Sequence, residues 1–128
     1  MPTNEPALKS ANNDSIVVRL NYGANTILLT GDIERESEEA LIKSGINLRA
    51  EVLKIPHHGS KTSSTEAFID VVQPRWAILS VGERSRFGHP HEVVVERYRK
   101  RGIALLQTGR DGMIRVQSDG HILQVSPP

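Results

Sequence analysis

Asp32, His57 and His58 are the side chains whose types and spacing suit hydrolysis at a divalent cation. Asp32 follows the apolar run 26–30 through Gly31, and the two histidines open the polar stretch Pro56-His57-His58-Gly59-Ser60 directly after a second apolar run, 51–55. A neutral imidazole is a good ligand for transition ions, and a carboxylate adds charge and can bridge two ions. The chain has no cysteine, so thiolate metal sites, disulfides and cysteine nucleophiles are all excluded. Side chains of adjacent residues diverge, so one imidazole would bind metal while the other faces substrate or a supporting carboxylate. Which of His57 and His58 is the ligand, and which is left for catalysis, stays open at this point. Gly59 would let the backbone approach a ligand closely, and Ser60 and Lys61 could hold a phosphate oxygen. A second polar loop, Gly88-His89-Pro90-His91, offers His89 as a proton donor or phosphate contact, and Arg86 just upstream adds a cation. The simpler alternatives are Asp32 as a helix N-cap, the histidines as loop residues that bind nothing, and the basic run 97–101 as a solvated helix face.

The elements that would carry these residues can be read from patterning. Runs 16–20 and 26–30 read as strands of a hairpin joined through Gly23 and Asn25. Residues 34–43 are acidic at the start and basic at the end, as a helix dipole prefers, with Gly45 as a stop and a narrow apolar face through Ile33, Ala40 and Leu41. Run 51–55 is a strand. Ser63-Ser64-Thr65-Glu66 fits a capping box for a short helix ending before Pro74. Residues 76–81 form a nearly continuous apolar strand, and 92–100 form a helix with Pro90 as starter and Gly102 as stop. A strand at 103–106 and a closing hairpin, 113–117 with 121–125 around Ser118-Asp119-Gly120, complete the list. This predicts an α/β fold with a mixed sheet, helices between strands, hairpins at both ends, and ligands at the strand ends.

The chain of 128 residues is one domain at most, and its net charge of +1 gives no global attraction to nucleic acid or membrane. Residues 1–14 are polar and read as a lead-in or linker, with the domain at 15–128. No apolar stretch approaches the roughly 20 residues that span a bilayer. The expected location is therefore soluble, cytoplasmic by default, and membrane-associated only as part of a larger protein.

The order of Leu28-Leu29-Thr30-Gly31-Asp32, Leu53-Lys54-Ile55-Pro56-His57-His58-Gly59-Ser60-Lys61-Thr62-Ser63, Leu79-Ser80-Val81-Gly82, Gly88-His89-Pro90-His91 and Thr108-x-x-Asp111-Gly112 resembles the soluble C-terminal domain of the ComEC family of DNA-uptake competence proteins. That resemblance implies a metallo-β-lactamase-like αββα sandwich with two metal ions, zinc or manganese, activating water for hydrolysis, and DNA phosphodiesters as the substrate. It implies Asp32 as the acid bridging the metals, the His57-His58 pair as the source of the late histidine ligand, with His57 favoured and His58 left for catalysis, and His89 near the substrate. The His-x-His-x-Asp-His type of motif that supplies most ligands in that fold does not occur here, so the chain is expected to be the C-terminal half of the sandwich. The loop Glu83-Arg84-Ser85-Arg86-Phe87 also lacks the asparagine that relatives tend to carry before the aromatic. The expected partners are DNA, the missing N-terminal half or a membrane-channel portion of a larger protein, and a second copy paired through the uncovered sheet face. The alternatives are a non-catalytic, self-associating or DNA-binding module, and a hydrolase of the same fold acting on another ester.

Overall fold

The computed structural model describes residues 15–80 and 91–126. The lead-in 1–14 and the loop carrying Arg86, His89 and Pro90 lie outside the described residues.

Strands β1 (Val18–Tyr22) and β2 (Asn25–Leu29) pair antiparallel, from Val18 opposite Leu29 to Tyr22 opposite Asn25. Only Gly23 and Ala24 are left for the turn, so the strands sit closer together than the apolar runs suggested. A two-residue turn needs positive φ at its start, and Gly23 supplies it at +58°. Gly23 is also where the C-terminal hairpin docks: a Cβ there would fall 2.2 Å from the Gly120 carbonyl oxygen, which accepts the Ala24 N–H at 2.7 Å.

β2, β3 (Val52–Lys54), β4 (Trp76–Leu79) and β5 (Ala104–Gln107) are parallel neighbours in chain order, with β1 at the edge. Helices α1 (Arg35–Lys43), α2 (Glu66–Val72) and α3 (Glu92–Arg99) make the crossovers. Right-handed crossovers put all three on one face of the sheet. There Leu28, Leu53, Ile55, Ala77 and Leu79 from the sheet pack with Ile33, Phe68, Ile69, Val72, Val94 and Tyr98 in one buried cluster.

Register places the alternate residues on the other face. Val18, Leu29, Lys54, Ile78 and Leu106 form one lateral row, and Leu20, Ile27, Val52, Trp76 and Ala104 form the next. Val18, Leu20, Tyr22 and Leu29 are 38–62% exposed on this face. β6 (Arg115–Ser118) and β7 (Leu123–Ser126) form a separate antiparallel pair tied to the β1–β2 turn, where Ser118 Oγ donates to Asn25 Oδ1 at 2.5 Å.

Three local expectations change. The α2 cap is Thr65, whose hydroxyl accepts the Phe68 N–H, and not Ser63, whose hydroxyl instead donates to the Ile33 carbonyl. Ala40 is exposed on α1, while Ser37 and Glu38 are buried. The closing turn is longer than an Asp-Gly pair, because the Asp119 carboxylate accepts the N–H groups of His121 and Ile122 and delays the start of β7.

Candidate functional site

The parallel strands end together, and the predicted chemistry gathers at that end. β2 runs out through Thr30, whose hydroxyl donates to the Lys54 carbonyl at 2.7 Å. Gly31 then turns the chain with φ +58°, and a Cβ there would meet the Ser15 side chain at 2.9 Å. Asp32 follows, its N–H donating to Ser15 Oγ. The N-cap position of α1 is Glu34, so Asp32 does not cap the helix.

The chain leaves β3 as a short helical turn, Pro56–Gly59, in which His57 and His58 both adopt positive φ, 51° and 52°. Left-handed backbone in non-glycine residues costs of order 1–3 kcal/mol each and persists only where the surroundings over-determine it. Here the His57 N–H donates to the Gly31 carbonyl at 3.1 Å, the Ser60 N–H to His57, and the His91 N–H to Gly59 at 2.9 Å. The loop is thus stitched both to the strand end carrying Asp32 and to the start of α3.

This backbone sends the imidazoles apart. His58 Nδ1 lies 2.6 Å from the Ser80 carbonyl oxygen, which can only accept, so Nδ1 carries the proton and Nε2 is the acceptor in the neutral ring. That Nε2 is 3.6 Å from Asp32 Oδ1, with the two side chains 45% and 40% exposed. Two ligands of one tetrahedral ion, at bond lengths of about 2.1 Å, lie about 3.4 Å apart, so the donor types and spacing fit half of such a coordination sphere. His57 turns the other way: its Nδ1 lies 3.4 Å from Glu34 Oε2 and 3.3 Å from Thr62 Oγ1, and the Thr62 hydroxyl donates to the same Glu34 oxygen at 2.8 Å. The structure therefore puts His58, and not His57, beside Asp32. Among the described residues no group of three or more His, Asp or Glu side chains converges.

Ser60 is buried, with its hydroxyl 2.9 Å from that of Thr62. Lys61 is exposed on the wall of a cleft of about 350 Å³ that it shares with Glu34, Arg35, Thr62 and Arg97. Arg86 and His89 lie outside the described residues, and His91 is the residue that precedes α3.

Sequence reasoning missed Glu34 and Glu38. Both lie in an acidic run whose composition looks like an ordinary solvated helix start. Glu38 is fully buried, and its carboxylate accepts the N–H groups of Ser64 at 2.6 Å and Thr65 at 2.8 Å and the Thr65 hydroxyl at 2.8 Å. Burial pushes its carboxyl above the usual range, against the pull of these bonds and of Arg97.

No family model matches the chain. It is 38% identical over 96% of its length to ComE operon protein 3 of Bacillus subtilis, 41% over 81% to competence protein ComA of Neisseria gonorrhoeae, and 35% over 84% to recombination protein 2 of Haemophilus influenzae. Most of this chain is homologous to a small part of competence proteins. It spans 14–16% of the length of these curated relatives. None of the helices in the described residues is long and apolar enough to cross a membrane.

Proposed function

We propose that this chain is the C-terminal half of a metallo-β-lactamase-like hydrolase domain that cleaves DNA phosphodiester bonds in connection with DNA uptake. The observation that carries the reading is the Asp32–His58 pair, held 3.6 Å apart at neighbouring strand ends, with the imidazole tautomer set by the Ser80 carbonyl. Competence and recombination in the names of the relatives favour DNA over other esters. Asp32 and His58 would hold a zinc or manganese ion, with the remaining ligands from outside the described residues; such an ion supplies a water of lowered pKa and positive charge where negative charge develops on the phosphate. His57, turned away from that pair toward Glu34 and Thr62, would handle a proton on that side of the loop, and Lys61 would attract the phosphate backbone. This reverses the order in which the sequence favoured the two histidines.

Titration of the purified chain with zinc and with manganese tests the reading. Saturable binding is expected, weakened at least tenfold in Asp32→Ala and His58→Ala and less in His57→Ala. Binding that is absent, or equal in all variants, overturns it.

A second reading rests on the exposed row Val18, Leu20, Tyr22 and Leu29. We infer from it a non-catalytic module that self-associates through this apolar face. Absence of metal binding together with concentration-dependent association would select this reading over the first.

A further inference from the structure

Glu38 is a fully buried carboxylate, more than a turn along α1 from the candidate ligands, and nothing in the proposed chemistry uses it. Its surroundings show what it does. Residues 62–65, which close the histidine loop, are laced to residues 33–38: Ser63 Oγ donates to the Ile33 carbonyl at 2.6 Å, the Arg35 N–H to the Thr62 carbonyl at 2.9 Å, and the Thr62 hydroxyl to Glu34. Glu38 ends the lacing by taking two consecutive backbone N–H groups and a hydroxyl. Ser64, between them, has φ +58° and is held on its other sides by Arg97, which donates to its carbonyl at 2.9 Å, and by Tyr98, whose hydroxyl is 2.8 Å from Ser64 Oγ. The same loop carries His57 and His58 in positive φ at its other end. A carboxylate has acceptors only, so it matches three donors, whereas an amide of the same shape turns a donor toward one of them.

We propose that Glu38 is the positioning residue of the imidazole loop. By fixing Ser64 and Thr65 it sets where the loop ends, and so where the His58 ring meets Asp32 and Ser80 and the His57 ring meets Glu34 and Thr62. The proposal builds on the candidate site, yet its first readout does not need a metal.

The test records ¹⁵N and ¹³C NMR signals of the histidine rings in the native chain, Glu38→Gln and the control Glu39→Gln, whose side chain is exposed. In Glu38→Gln the His57 and His58 ring signals shift or broaden and the Nδ1-protonated tautomer of His58 is no longer dominant. The His121 signals, from the far hairpin, stay in place, and Glu39→Gln resembles the native chain. Zinc affinity falls at least tenfold in Glu38→Gln. Unchanged His57 and His58 signals, or His121 signals that move as far as theirs, overturn the proposal. If Glu38→Gln does not fold, Glu38→Asp, which keeps the charge and draws the carboxylate back from the Ser64 and Thr65 donors, replaces it with the same criteria. A native chain that binds no zinc defeats the metal reading alone, because the ring signals still decide the role of Glu38.

Discussion

The two faces of the five-stranded sheet are built from similar residues and meet different surroundings. Toward the helices, Leu28, Leu53 and Ala77 are 0% exposed, while across the sheet Leu20 and Leu29 are 49% and 38% exposed. The same strands supply both sets, alternating residue by residue as a pleat requires. Apolar content alone thus does not decide burial: the three crossovers place every helix on one side, and on the other the edge strand stays exposed while Val52, in the central strand β3, is buried. The site belongs to the closed side's end of this contrast. Asp32 and the imidazole loop are carried by segments that leave the sheet toward α1 and α2, and their backbone is fixed by a buried polar lacing.

The largest expected effect comes from making one substitution on both faces. Leu53→Ala opens a cavity in the closed core and should cost about 2–5 kcal/mol. Leu20→Ala, on the open face, should stay within about 0.5 kcal/mol. Urea unfolding of the two variants checks this, and equal losses would mean that the open face is covered in solution.

Helix and strand positions were legible because composition and periodicity reflect local preference. The acidic-to-basic run of α1 and the apolar runs of β2, β3 and β4 fall within a few residues of their observed places. Asp32 and the histidines were legible as chemistry at strand ends. The partner of each histidine was not, since it depends on two residues with positive φ, which no side chain of this type announces. Glu38 was hidden for a related reason. Glu39 and Ala40, which follow it, are exposed, and the donors that bury it come from residues 26–27 positions away. The α2 cap moved from Ser63 to Thr65 through that same long-range contact, which local capping rules do not contain.

A smaller effect separates the faces by association. If copies pair through the open face, the native chain should sediment with rising apparent mass as concentration increases, and Leu20→Glu should remain monomeric with its fold intact. A native chain that is strictly monomeric at high concentration ends the self-association reading and leaves the face to a partner outside this chain.

The smallest effect concerns pH, and it contrasts the buried carboxylate with exposed ones. Burial raises the Glu38 carboxyl above its ordinary 4.5, so as pH falls the folded protein takes up this proton before the unfolded chain does. Its contribution to stability is therefore fully present below about 4.5 and is lost as pH rises through the raised value. Glu66 is held low by Lys100 and Arg101, Asp70 by Arg101, and Asp119 by the N–H groups of Ile122 and His121. These exposed groups act with the opposite sign: their contribution is present above their ordinary values and lost as pH falls through the depressed ones. The two windows do not overlap, since Glu38 acts from 4.5 upward and the others from their ordinary values downward. The stability difference between the native chain and Glu38→Gln should accordingly widen as pH is lowered from neutral to 4.5 and then level off. Urea unfolding at a series of pH values measures it. A difference that stays constant across that range would mean that the carboxyl is solvated in solution, and with it that the lacing of the histidine loop to α1 is looser than the buried geometry requires.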